Sequence, residues 1–395
     1  MKVLQINSVC GIRSTGRICT DIAEILERDG NSCIIAYGRE LVPEKYKRFS
    51  LRIGTDFDVN NHVMQTRIFD KNGFASKKAT KAFLNQIDDY DPDIIHLHNI
   101  HGYYINIQLL FSYLKKSDKP IVWTFHDCWP FTGHCAYFDY IGCNKWKNEG
   151  CYQCPQKNKY PKSSFFDNSK NNFLIKRELF TDIKNLTIVT PSKWLAKLVE
   201  ESFLSNYPVK IINNGIDLDI FKYKQNNFRE RFNLLNKKII LGVASAWGKR
   251  KGLYDFFDLA RMISDDFVIV LVGLEENQIK KYTNFNNIIC IPKTNNTAEL
   301  AEIYSSADVF INPTYEDNYP TVNLEAQACG TPVITYETGG SIESVPDSNI
   351  VKKGDINGLF NLIKSSDLQV MDRMLFDSNG RYAEYIQLYY SLLTS

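Results

Sequence analysis

The sequence predicts an α/β protein of two doubly wound parallel-sheet domains, and three observations predict it. Short apolar runs alternate with helix-length segments along the chain, the pattern of strands joined by helical crossovers. That rhythm pauses at a polar, aromatic stretch from Asp217 to Asn236, read as a connection between lobes, and then restarts. The length of 395 residues fits two domains at roughly 100–200 residues each, with a cleft expected between them.

The first domain, residues 1–215, opens with a βαβ unit. Val3 to Asn7 is an apolar strand, a Gly/Ser/Thr loop follows, Ile18, Ile22, Ile25 and Leu26 recur at helical spacing, and Ser32 to Tyr37 returns as a strand. Further strands are predicted over Ile94 to Leu97, Ile121 to Phe125, Leu186 to Thr190 and Lys210 to Ile212. The second domain, residues 216–380, carries strands over Ile239 to Val243, Phe267 to Val272, Ile288 to Ile291, Val309 to Ile311 and Val333 to Thr335, with helices over Tyr254 to Ile263 and Thr297 to Ser305. In residues 381–395, Tyr382, Tyr385, Ile386, Tyr389 and Leu393 make one apolar helix face, which needs a lobe to dock on and does not say which.

Composition narrows the function. With 47 basic and 45 acidic residues, 44% hydrophobic residues and 13 prolines, the chain is neither collagenous, disordered nor fibrous. A net charge of +2 offers no electrostatic case for nucleic-acid binding. The first residues do not read as an export signal, and no apolar run approaches the roughly 18–20 residues that cross a bilayer. A cytoplasmic location is therefore expected, in which the ten cysteines are reduced thiols or metal ligands rather than disulfides.

In open parallel sheets ligands bind beyond the carboxyl ends of the strands, so the loops there carry the chemistry. Gly11-Ile12-Arg13-Ser14-Thr15-Gly16-Arg17 either receives phosphate on backbone N–H groups or is a tight strand-to-helix turn; it lacks the Lys and Ser/Thr of an ATPase loop. Ser245 to Gly252 places Lys249, Arg250 and Lys251 beside a glycine, where they could neutralise a diphosphate; a solvated basic turn is the plain alternative. In Tyr315 to Pro332, Pro320 and Thr321 can start a helix that carries Glu325 towards a ribose, while Glu316 and Asp317 face another polyol. Backbone N–H groups at Thr321 and Val322 could meet phosphate, unless these acids only favour the helix N-terminus. His126 closes a strand where an imidazole could touch substrate, whereas His96, His98 and His101 are read as structural.

This combination resembles retaining glycosyltransferases of family 4, on Gly11 to Arg17, Asp93 to His98, Thr124 to Asp127, Thr190 to Ser192, Asn214 to Asp217, Arg250 to Gly252 and Glu316 to Pro332. The resemblance implies the GT-B architecture, two facing Rossmann-like lobes. It implies transfer of a sugar from a nucleotide diphosphate sugar to a saccharide or lipid-linked saccharide with retention, as in bacterial surface polysaccharide synthesis. Glu325 matches the second acid of the family's Glu-x7-Glu motif, and Asp317 departs from the first, so Glu316 is taken to share its task. Lys251 matches the diphosphate-binding lysine. Ala246 stands where the usual arginine would be, and Arg250 is the substitute. His126 matches the histidine near the transferring sugar, and Gly16 the glycine loop near the phosphates. His126, Lys251, Arg250 and Asp317 are thus the catalytic candidates, with Gly16, Glu316, Asn318, Tyr319, Pro320, Thr321, Val322 and Glu325 for the donor. A lipid-borne acceptor would bring the chain to the inner face of the membrane, although its scattered basic residues define no amphipathic anchor.

Near residues 128–165 lies an insertion with Cys135, Cys143, Cys151 and Cys154, which suits either a structural zinc or reduced, packed thiols; His134 and Cys128 are substitute ligands. Four protein ligands leave no open site on such an ion, and no catalytic metal is expected. Trp129, Phe131, Tyr137, Phe138, Tyr140 and Trp146 are read chiefly as core, with sugar stacking the alternative. Two other classes compete with transfer: a non-catalytic zinc-stabilised carbohydrate-binding protein, and a nicotinamide-dependent oxidoreductase, whose dinucleotide fingerprint is absent.

Overall fold

The computed structural model describes residues 1–147, 150–282, 285–365 and 367–394. The chain forms two compact units, Met1–Asn213 with Asn379–Ser395, and Asn214–Ser378. The expected boundaries after 215 and 380 each lie two residues further on.

In the first unit the chain runs β1 (Lys2–Asn7), α1 (Arg13–Arg28), β2 (Ser32–Tyr37), β3 (Ser50–Arg52), α2 (Asp56–Phe69), α3 (Lys77–Tyr90), β4 (Ile94–Leu97), α4 (Ile107–Leu114), β5 (Ile121–Thr124), α5 (Ser169–Phe180), β6 (Leu186–Thr190), α6 (Lys193–Glu200) and β7 (Val209–Ile211). Its seven parallel strands lie in the order β3-β2-β1-β4-β5-β6-β7. β4, β5 and β6 are buried along their whole length, because helices cover both faces of a parallel sheet, and they read as largely apolar runs with His96, Thr124, Thr187 and Thr190 the polar exceptions. Two apolar clusters result. One gathers Phe83, Leu110, Phe111, Trp123 and Phe180, and the other sets α1 against Val3, Ile35 and Val122.

The second unit contains α7 (Phe228–Arg231), β8 (Lys238–Val243), α8 (Leu253–Ala260), β9 (Phe267–Val272), α9 (Glu276–Tyr282), β10 (Ile288–Ile291), α10 (Thr297–Ser306), β11 (Val309–Asn312), α11 (Thr321–Ala328), β12 (Val333–Tyr336), β13 (Ile350–Val351) and α12 (Ile356–Lys364). Its six strands, also parallel, lie in the order β10-β9-β8-β11-β12-β13. The stretch Asp217 to Asn236, read from sequence as a connection, belongs to this unit: Phe221 and Phe228 are buried in its core beside Leu241 and Tyr304. Its polar residues had masked two aromatic anchors.

The last helix, α13 (Ser378–Leu393), packs on the first unit. Tyr382, Tyr385, Ile386 and Tyr389 are buried with Ile18 and Ile22 of α1. Two hydroxyls fasten it to the sheet, Tyr389 to His96 Nδ1 at 2.6 Å and Tyr385 to Thr124 Oγ1 at 3.1 Å.

Candidate active site

Strand order decides which loops are neighbours. In each sheet the winding reverses once, between β1 and β4 in the first and between β8 and β11 in the second, and such reversals open the crevice where doubly wound sheets bind ligands.

In the second unit the loops beyond β8 and β11 meet there. Lys249–Lys251 forms a single 3₁₀ turn closed by Gly252 at φ 69°, and a Cβ at Gly252 would lie 2.1 Å from the Pro313 carbonyl oxygen. Only glycine lets the basic turn press on the β11–α11 loop. The contact is stitched by Tyr315 N–H to the Arg250 carbonyl at 2.7 Å and by Arg250 Nη1 to the Glu316 carbonyl at 2.7 Å. Lys251 Nζ then pairs with Asp317 Oδ2, the two side chains being 19% and 14% exposed. Burial pulls the Lys251 ammonium below its ordinary value against the pull of Asp317. Burial also pushes the Asp317 carboxyl up, but Lys251 and Arg250 outweigh it and hold the group below the usual carboxylate range. Asp317 is braced further by Asn318 N–H to its Oδ1 at 3.0 Å and by Gly340 N–H to its carbonyl at 3.0 Å.

The helix expected after Pro320 is α11, with Pro320 as its N-cap. Its buried face carries Asn323 into a network with Asn312, Ser341 and Ser344, and Glu325, 2% exposed, accepts the Tyr304 hydroxyl at 3.1 Å. Glu316, Asn318, Tyr319 and Pro320 are buried in the preceding loop, whereas Thr321 and Val322 are half-buried in the first turn of the helix. The Tyr319 carbonyl receives Asn214 Nδ2 at 3.0 Å. Tyr304 had no signal in the sequence, because its role rests on α10 lying beside α11.

In the first unit the Gly11–Arg17 loop is shorter than expected. α1 begins at Arg13, so Gly16 lies inside the helix, not in the loop. There it allows close approach, with Val9 Cγ2 and Gly11 N only 3.1 and 3.2 Å from where a Cβ would stand, and Gly11 N–H bonds the Gly16 carbonyl at 3.1 Å.

His126, just beyond β5, is half-buried and joined through His98, which the sequence reading took as structural, to a hydrogen-bonded chain whose pairing the sequence did not show. Gln5 Nε2 is 2.8 Å from the Cys19 carbonyl, which can only accept, so Gln5 turns its Oε1 to His98 Nε2 at 3.0 Å. His98 must then carry its proton on Nε2. Burial holds that ring neutral, well below the ordinary histidine value, so its Nδ1 accepts from His126 Nε2 at 3.1 Å. His126 is thereby assigned the Nε2–H tautomer with an unprotonated Nδ1. Burial also lowers its pKa to about 4, against the pull of Asp127. Asp127 itself is buried against His101 Nε2 at 3.0 Å, and His101 Nδ1 meets the Tyr160 hydroxyl at 2.8 Å. A partner for His98 could have been suspected only from strand adjacency, since β4 pairs with β5.

Of the aromatic residues in the insertion, Trp129, Phe131, Phe138 and Trp146 are core, while Tyr137 and Tyr140 are half-buried. All ten cysteines are free thiols, and Cys135, Cys143, Cys151 and Cys154 line one small cavity. Among the described residues no three His, Cys, Asp or Glu side chains are gathered closely enough to hold a metal as they stand. No helix among the described residues is long and apolar enough to cross a membrane.

Two parallel, doubly wound sheets with their polar loops at the reversal points are the architecture of GT-B glycosyltransferases. Sucrose-phosphate synthase from Thermosynechococcus elongatus is similar over 100% of this chain and 99% of that one, with a TM-score of 0.73 at 17% identity. Anabaena HepE, solved in complex with UDP and glucose, is similar over 99% of this chain and 100% of its own, with a TM-score of 0.67 at 14% identity. The chain belongs to glycosyltransferase family 4, whose model, "Glycosyltransferase Family 4", matches residues 15–220, and a second model, "Glycosyl transferases group 1", matches residues 224–366. Among curated relatives, the putative colanic acid biosynthesis glycosyl transferase WcaC of Escherichia coli is 25% identical over 335 residues, covering 76% of this chain and 77% of that protein.

Proposed function

We propose that this glycosyltransferase is a retaining enzyme that moves a sugar from a nucleotide diphosphate sugar to a saccharide or lipid-linked saccharide in surface polysaccharide synthesis. The observation that carries the reading is the meeting of Lys251 and Arg250 with Asp317 at the reversal point of the second sheet. A buried ammonium held by one carboxylate is poised to exchange that partner for a more highly charged diphosphate. Once Lys251 turns to phosphate, Asp317 is released to accept hydroxyls of the transferring sugar, with Glu316 sharing the task. Glu325, steadied by the Tyr304 hydroxyl, takes the ribose.

As the bond to the anomeric carbon breaks, Lys251 and Arg250 stabilise the charge growing on the departing diphosphate. The acceptor hydroxyl enters on the face the diphosphate leaves and gives its proton to a phosphate oxygen, so no protein carboxylate need act as nucleophile. His126, with a lone pair on Nδ1, accepts a hydrogen bond from a hydroxyl of the transferring sugar. The relation to a colanic acid transferase supports a polysaccharide product, and a lipid-borne acceptor would bring the enzyme to the inner membrane face.

A panel of nucleotide sugars, scored first for binding and hydrolysis and then for transfer to candidate acceptors, tests the reading. Lys251→Ala and Glu325→Ala should each abolish transfer. Wild-type turnover in both, or inversion at the anomeric carbon in the product, would overturn it.

A further inference from the structure

The segment between β5 and α5 is the longest irregular stretch of the first unit, with only the 3₁₀ turns Trp129–Phe131 and Asp139–Ile141 among its described residues. A loop of this length inside a compact domain is unusual without a cross-link, and its thiols form no disulfide. Two independent observations converge on its cysteines. First, Cys135, Cys143, Cys151 and Cys154 all line one cavity of about 10 Å³, together with Trp146 and Pro155. Second, the segment holds a group of buried nitrogens with no hydrogen-bond partner: His134 Nε2, Trp146 Nε1 and Gln156 Nε2. Trp146 lines the cavity itself, and His134 and Gln156 flank its cysteines in sequence. A buried donor left unpaired is costly, and two in one segment, Trp146 Nε1–H and Gln156 Nε2–H, point to an acceptor of substantial negative charge.

We infer that these four cysteines bind one zinc ion as thiolates, a structural centre whose anionic sulfurs are the missing acceptors. A tetrahedral tetrathiolate zinc carries two net negative charges and is commonly stabilised by N–H donors to sulfur. That shell is already partly built, since Gly133 N–H lies 3.1 Å from Cys151 Sγ. Binding draws the four sulfurs inward from the walls of the cavity and releases their protons to solvent. Cys128 does not line this cavity, and His134 is committed on its other side, its Nδ1–H donating to Asp70 Oδ1 at 2.5 Å. With no open coordination position the ion activates no water. It fastens the segment that carries Asp127 and Trp129, which Lys176 Nζ ties to the rest of the unit through the Trp129 and Thr132 carbonyls at 2.7 and 2.9 Å.

The test is metal analysis of the full chain, purified without a metal-affinity tag, alongside the cobalt-substituted protein. About one zinc per chain is expected, lost in Cys143→Ser and Cys154→Ser and kept in Cys290→Ser, whose thiol lies in the other unit. Cobalt should give the intense visible bands and thiolate charge-transfer absorption of a tetrahedral sulfur site, a readout on wild-type protein that stands even if a serine variant fails to fold. Zinc-free protein that takes up no zinc or cobalt overturns the inference. So does zinc retained by both serine variants, a cobalt spectrum without thiolate bands, or a disulfide among the four cysteines.

Discussion

Replacing His98 by leucine probes the relay that sets the proton on His126. The substitution strands two groups: Gln5 Oε1, buried and 3.0 Å from His98 Nε2, and His126 Nε2–H, 3.1 Å from His98 Nδ1. An unpaired buried polar group costs about 1–3 kcal/mol, and half-buried His126 recovers part of its loss from water, so His98→Leu should destabilise the first unit by about 2–4 kcal/mol. Gln5→Leu alone strands His98 Nε2–H and should cost about 1–3 kcal/mol. In the double variant both ends of the Gln5–His98 bond are gone, so the losses should fall short of their sum by about 1–3 kcal/mol. Denaturant unfolding of the four proteins measures this coupling, and nitrogen chemical shifts of the imidazole rings read the tautomers directly. Wild-type His126 should show a protonated Nε2 and an unprotonated Nδ1 and should titrate near pH 4. Additivity within about 0.5 kcal/mol, or a proton on His126 Nδ1, refutes the relay.

Asp317→Asn leaves Lys251 without its carboxylate in a largely buried site and should lower the stability of the second unit by about 1–3 kcal/mol, checked by denaturant unfolding. In calorimetric titration the same variant should keep or gain affinity for a nucleoside diphosphate while losing affinity for the nucleotide sugar; equal losses for both would count against an exchange of partners at Lys251. Gly252→Ala should cost at least about 2 kcal/mol, from a residue with a side chain at φ 69° and a Cβ driven onto the Pro313 carbonyl oxygen, read from the melting of the second unit. His62 accepts Gly73 N–H on Nε2 at 3.0 Å, and burial lowers its pKa from 6.5 to about 4. A lowered histidine pKa means that the unfolded chain binds the extra proton first, so this contribution is complete above pH 6.5 and falls by about 3 kcal/mol as pH drops towards 4. His62→Gln should remove that slope from a pH series of unfolding curves.

The parallel strands were the most legible part of the fold. Phe267 to Val272 and Ile94 to Leu97 coincide with β9 and β4, because strands covered on both faces carry few polar side chains, His96 in β4 being one. Edge strands β3 and β13, short and partly open to solvent, left no such mark. α2 was equally silent: it buries only His62 and Thr66, so no apolar stripe betrays it, and its best clue is the Thr55–Asp58 capping box. In the Asp217 to Asn236 stretch, composition outvoted Phe221 and Phe228, whose burial depends on a surface formed elsewhere in the chain.

Candidate site residues could be read loop by loop, but not their pairings. Lys251 and Asp317 are 66 residues apart, and their loops meet because β11 joins the sheet beside β8 after β9 and β10 have been laid on its other edge. No spacing rule encodes that; strand order does. The same adjacency bears on the one acid that departs from the family pattern. An aspartate is a methylene shorter than a glutamate, so the pairing of Asp317 with Lys251 needs the basic turn to lie against its loop. Gly252 against Pro313, and the bonds from Tyr315 and Arg250 across the two loops, supply that closeness. Asp317, Gly252 and Arg250 therefore form one arrangement, and a glutamate at 317 without altering the turn would push the carboxylate past the ammonium that Asp317 now holds.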